Sequence, residues 1–132
     1  MTETVRLEVP ATFWALATLR MVVGGVGAHF SLGLDELDDL TMAVEAIFRA
    51  AVELEDSRRY ALEVDVSAEK LGIIVGPFRS VQLRQRLFTA PGSEQCLDLC
   101  RLLTGTVESF SVIDRDGAFS ISLLARRNPP SG

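Results

Sequence analysis

The sequence predicts an α+β fold, a two-layer sandwich with helices on one face of a mixed, mostly antiparallel sheet. Three observations predict it. Two amphipathic helical patterns follow one another near the start of the chain, and a third precedes its end. Strand-like stretches fall mostly in neighbouring pairs, which suits a sheet built from hairpins rather than from alternating βαβ units. The chain has 132 residues, 48% of them hydrophobic, enough for one core without disulfides or metal.

The elements follow in order. Val5 to Val9 (VRLEV) alternates apolar and polar residues and reads as a short strand stopped by Pro10. A helix is expected from Ala11 or Thr12, with Thr12 as its cap, through Phe13, Leu16, Leu19 and Val23, weakened at Gly24-Gly25. Asp35 to Glu53 is the clearest helix: Leu37, Leu40, Val44, Ile47, Ala51 and Leu54 recur at steps of three and four. Asp35, with Asp38 three residues on, resembles its N-cap. Tyr60 to Val66 alternates, and Leu71 to Val75 is an apolar run ended by Gly76-Pro77, so both read as strands. Val81 to Leu87 has no clear period, and Ala90 to Ser93 reads as a loop. Glu94 to Leu103 reads as a helix ended by Gly105. Val107 to Ile113 and Ala118 to Leu124 form a hairpin around Asp116-Gly117. These elements make one domain, residues 1–127, followed by a flexible tail, residues 128–132 (NPPSG).

Composition narrows the function classes. A net charge of −5 argues against direct nucleic-acid binding, which wants a basic face. No apolar run reaches transmembrane length, and MTETVRLEV lacks the basic and then apolar regions of a signal peptide, so a cytoplasmic protein without a membrane partner is expected. Cys96 and Cys100 share a helix face four residues apart, a poor geometry for a disulfide, and with a distant His29 they make no zinc site, so reduced thiols and no metal are expected. Acids concentrate early, at Asp35, Glu36, Asp38 and Asp39, whereas Arg79, Arg84, Arg86 and Arg101 come later. The early acids suit the positive end of a helix dipole, and they also complement a basic protein surface.

Within the clearest helix, Glu45 stands at the edge of the apolar stripe and Arg49 follows one turn later. A desolvated carboxylate is costly unless paired, hydrated or used. Glu45 therefore either pairs with Arg49 at i, i+4 or carries chemistry.

Taken together, the VRLEV strand, Arg20 in the first helix, the DELDDLTMAVEAI segment and the closing CLDLCRLLTGTVESF step resemble the serine-kinase anti-sigma factors of the histidine-kinase-like ATPase superfamily. The resemblance runs over nearly the whole chain and implies the histidine-kinase-like ATPase fold. It implies that Glu45 descends from a catalytic base, that Arg20 is a partner contact, and that the partners are a sigma factor and/or an anti-anti-sigma protein, with the chain itself a homodimer.

The family's nucleotide site is not matched. Where the family has Glu, three residues and Asn, this chain reads Glu45-Ala46-Ile47-Phe48-Arg49. A guanidinium has no lone pair for Mg²⁺, although Arg49 can contact a phosphate. Gly76-Pro77-Phe78-Arg79 replaces the Asp-x-Gly-x-Gly box, so the carboxylate that reads adenine is missing, and Glu94-Gln95-Cys96 replaces a glycine box beneath the phosphates. Leu87-Phe88-Thr89 still resembles the middle of a shortened lid. The expectation is a regulatory protein with a vestigial Glu45, no bound cofactor and a partner surface at Arg20, Asp35, Glu36, Asp38 and Asp39. The alternatives are an active serine protein kinase using ATP and Mg²⁺ with Glu45 as base, and a non-catalytic dimeric scaffold.

Overall fold

The chain runs β1 (Glu3–Pro10), α1 (Ala15–His29), α2 (Leu34–Glu53), β2 (Arg59–Val66), β3 (Leu71–Phe78), α3 (Val81–Leu87), α4 (Leu99–Thr106), β4 (Ser109–Arg115) and β5 (Ala118–Leu124). The computed structural model describes residues 3–30, 32–88 and 99–126. The five strands lie in the order β1-β2-β3-β5-β4.

The expected α+β class holds, but the sheet is not mixed: each of its four strand pairs is antiparallel. The connection between β1 and β2 shows why. Helix α1 carries the chain away from the end where β1 stops, and α2 carries it back, so Ala11 N–H bonds the Arg58 carbonyl at 2.9 Å and β2 enters against β1. An even number of crossings leaves neighbouring strands antiparallel.

Side chains alternate across the sheet with period two. Tyr60, Leu62 and Val64, Leu71, Ile73 and Val75, and Phe119, Ile121 and Leu123 are buried on one face. Leu16, Leu19 and Val23 of α1, Leu40, Val44, Ile47 and Ala51 of α2, and Leu99 and Leu103 of α4 complete that core. The opposite face carries Arg6, Glu63, Ile74, Ser122 and Ser111 in one cross-strand row and is open to solvent.

Several boundaries move for identifiable reasons. Helix α1 starts at Ala15 rather than near Thr12, without a side-chain cap, and continues through Gly24-Gly25 to His29. Two interior glycines cost about 1 kcal/mol each relative to alanine. Burial of Leu16, Leu19 and Val23 outweighs that cost, and a third glycine, Gly27, packs where the helices meet: a Cβ there would require the end of the Leu37 side chain to shift. Gly33, not Asp35, caps α2; its extended carbonyl accepts the Leu37 N–H at 2.9 Å, and Asp35 and Glu36 lie in the first turn.

Strand β3 does not end at Gly76-Pro77. It passes through a cis Gly76-Pro77 bond and a register shift to reach Phe78, which pairs with Phe119. Gly76 fits there because a Cβ would lie 3.0 Å from the Ser120 Cα. The ambiguous Val81–Leu87 segment is a helix, its cap made by the Ser80 hydroxyl, which accepts the Leu83 N–H at 3.1 Å. Helix α4 runs past Gly105 to Thr106, so β4 begins at Ser109 rather than Val107. Arg115 and Ala118 pair across Asp116-Gly117, whose φ values of 52° and 79° meet the positive-φ requirement of a tight two-residue hairpin. The Ala90–Ser93 loop, the helix start at Glu94, Cys96 and the 128–132 tail lie outside the described residues. Cys100 is a free, half-buried thiol.

Tyr60 joins the two layers. Its ring packs edge-on against Phe48 (centroids 5.8 Å apart) and tilted against Phe78 (5.0 Å), and Phe78 meets Phe119 at 5.6 Å. Its hydroxyl donates to Asp56 at 3.3 Å. Burial, followed by the Asp56 charge and this hydrogen bond, pushes the phenol well above its ordinary value.

Two expectations test this packing. Tyr60 is the chain's one tyrosine, so phenolate absorbance reports it directly. Because its folded pKa is raised, its contribution is complete below the unfolded value of about 10 and is lost as pH rises beyond it. Native protein should therefore resist phenolate formation above about pH 10. Its urea midpoint should fall there, and Tyr60→Phe should remove that part of the fall. In α1, Gly25→Ala meets open space and should raise stability by about 1 kcal/mol, whereas Gly27→Ala should give no gain, by urea unfolding.

Candidate functional site

Along the seam where α1 and α2 pack, Arg20 of α1 lies over Glu45 of α2. The pair is bidentate: Arg20 Nε donates to Glu45 Oε1, and Nη2 donates to Oε2 at 3.1 Å. The Glu45 side chain is only 16% exposed and that of Arg20 53%, so the carboxylate sits in the interhelical groove under a guanidinium lid. The hydrogen bond to Glu45, and then its charge, raise the Arg20 pKa further above its already high value, so the fork stays charged.

This corrects the expected Glu45–Arg49 pair. Arg49 is exposed, and it makes no ion pair among the described residues. A facing helix offers Glu45 a planar fork for both oxygens, which takes the place of the same-helix neighbour one turn away. Arg20, expected only as a partner contact, is thus also the cation that neutralises Glu45.

The remaining expected positions do not converge on this pair. Asp35 and Asp38 are exposed at the start of α2, with Glu36 and Asp39 half-buried beside them. Gly76-Pro77 presents no carboxylate. The turn behind it is closed by a residue that sequence reasoning missed: Asp56 Oδ1 accepts the Arg79 N–H at 2.7 Å and the Ser80 N–H as well. Those two amides are consequently committed to the protein. Its signal was slight, an aspartate in the polar run between α2 and β2 with a cappable Ser80 far downstream. The Glu94-Gln95-Cys96 box and Thr89 lie outside the described residues.

Exposed apolar side chains stand on several elements, among them Val5 of β1, Trp14 at the N-cap of α1, Met21 of α1, Leu34 of α2, Val81 of α3 and Ile113 of β4. Leu16, Leu19 and Val23 point inward, while Trp14 (68% exposed) and Met21 (77%) point outward, and Met42 of α2 is half exposed. Met21 follows Arg20 directly in α1, and Met42 stands one turn before Glu45 in α2.

Three depressions are described. One of about 300 Å³ lies beside His29 and Ser67, one of about 400 Å³ on the open sheet face at Ile74 and Ser120, and one of about 360 Å³ between the β3–α3 turn and the β4–β5 hairpin. None of the three is lined by Glu45 or Arg49. Among the described residues there is no group of three or more His, Cys, Asp or Glu arranged to hold a metal, and no helix is long and apolar enough to cross a membrane.

A double-mutant cycle separates the two possible partners of Glu45. Arg20→Ala and Glu45→Ala should show a favourable coupling in urea unfolding that salt weakens, while Arg49→Ala and Glu45→Ala should be additive.

Compared with protein-family models and with curated protein sequences, the chain matches none.

Proposed function

We propose that this chain is a non-catalytic regulator of the anti-sigma type, holding a sigma factor and/or an anti-anti-sigma protein on the outer face of α1. The observation that carries the reading is the exposure of Trp14, at the N-cap of α1, and of Met21, two turns along it. Large apolar side chains left uncovered on a helix rich in apolar residues suit an interaction surface. The acids of the first α2 turns lie toward the other end of α1, where Gly27 meets Leu37, and add negative charge to the same helix layer.

The chemistry of Glu45 supports the non-catalytic part. Both Glu45 oxygens accept from Arg20, so the carboxylate is engaged in a bidentate ion pair under that guanidinium, a structural role for the position. The position four residues on carries a donor where Mg²⁺ needs an acceptor. The histidine-kinase-like ATPase fold belongs to this reading as well: the antiparallel sheet with helices on one face is compatible with it. A second reading, the dimeric scaffold, draws on β1, an eight-residue edge strand with Val5 47% exposed, which offers a ladder to a second copy.

Trp14 is the only tryptophan and sits on the proposed face, so its emission reads binding there directly. Purified sigma factors and anti-anti-sigma proteins from the source cell, added one at a time, should include one that blue-shifts Trp14 emission with saturation. Met21→Asp should weaken that complex about tenfold or more. No saturable shift with any of them would remove the anti-sigma reading. Micromolar binding of ATP with Mg²⁺ in calorimetry would restore the kinase alternative.

A further inference from the structure

The depression of about 360 Å³ between the β3–α3 turn and the β4–β5 hairpin has an unusual wall: three arginines, Arg79, Arg84 and Arg115, reach it from three separate segments in a chain of net charge −5. Phe119 and Val81 supply an apolar side. No residue of α2 lines it, so it is separate from the Glu45 and Arg49 face.

The arginines are not equivalent. Arg84 crosses to Asp114, its Nη1 bonding Oδ1 and its Nη2 bonding Oδ2 at 3.0 Å, and its guanidinium lies 5.5 Å from the Phe119 ring centre. Both members of that pair are well exposed, at 42% and 63% of their side chains, so water screens it and a stronger acceptor can compete for the fork. Asp114 is held below the usual carboxylate range by Arg84, which keeps it ionised as the resident anion. Neither Arg79 nor Arg115 has an ion-pair partner among the described residues. Asp116 is the other carboxylate in the wall, so with Arg84 and Asp114 cancelling each other the remaining charge is positive.

We propose that this depression binds a phosphate group, free or as a monoester, held by Arg79 and Arg115 and joined by Arg84 when it leaves Asp114. A phosphate monoester has three strong acceptor oxygens and free phosphate four, enough for arginines from three segments lining one depression, whereas a carboxylate has two and is already represented by Asp114. Guanidinium forks bind phosphate through paired parallel hydrogen bonds, and the stack on Phe119 limits where the Arg84 fork can turn.

The test uses the full ¹⁵N-labelled chain titrated with inorganic phosphate and, separately, with O-phosphoserine, each against sodium chloride of matched ionic strength. Saturable amide shifts confined to Arg79–Arg84 and Asp114–Phe119 are expected. Arg79→Gln with Arg115→Gln, both exposed and therefore compatible with folding, should weaken binding about tenfold or more. Asp114→Asn should tighten it several-fold by releasing Arg84. Equal affinity for the two probes identifies free phosphate as the ligand, and tighter binding of O-phosphoserine identifies an ester whose organic part uses the Phe119 side. Absence of saturation, shifts that chloride reproduces, or affinity unchanged in the double arginine variant would overturn the proposal.

Discussion

Tyr60 occupies the point where α2, β2 and β3 meet, and it is satisfied in two ways at once. Its ring lies between Phe48 of the helix layer and Phe78 of the sheet, and Phe119 extends the row into β5. Each such aromatic contact is worth about 0.5–1.5 kcal/mol beyond its buried area. Its hydroxyl reaches Asp56, and Asp56 in turn holds the backbone of Arg79 and Ser80. One buried phenol thus ties the end of α2 to the turn that launches α3. The apolar row sets the spacing of the layers, and the polar row sets where the chain leaves the sheet.

Arg20 and Glu45 show a comparable constraint at the other packing surface. Gly27 leaves room for the Leu37 side chain where α1 and α2 pack, and farther along the same seam a guanidinium from one helix covers a carboxylate of the other. The two proposals draw on different residues: Trp14 and Met21 at α1 for the first, and for the second a depression lined by the β3–α3 turn and the β4–β5 hairpin. A protein partner and a phosphate group would therefore not compete for the same side chains.

Much of the fold was legible because it rests on local periodicity. The stripe from Leu37 to Leu54 marked α2 to within one residue at its start, and the alternation of Tyr60 to Val66 marked β2 equally well. Asp116-Gly117 marked the final hairpin because few residues other than glycine and aspartate accept its positive φ values. Legibility failed where packing overrode a local signal. Gly24-Gly25 weakens the helical signal, yet inward Leu19 and Val23 keep α1 helical through it. Gly76-Pro77 reads as the end of a strand, yet Phe78 continues pairing with Phe119 because both rings belong to the core row.

The candidate site divides along the same line. The sequence by itself determined that Glu45 stands at the edge of an apolar stripe and must be paired, hydrated or used, since a desolvated carboxylate is costly wherever the chain goes. It also determined that no acceptor for Mg²⁺ stands at Arg49 and no carboxylate at Gly76-Pro77, because those are properties of residue types. Only the tertiary structure decided which cation answers Glu45. Helical spacing ranks Arg49 first because it counts neighbours along one helix, and Arg20 lies 25 residues away in sequence. The choice depends on how two helices pack, and a distance between separate elements is not written in the periodicity of either.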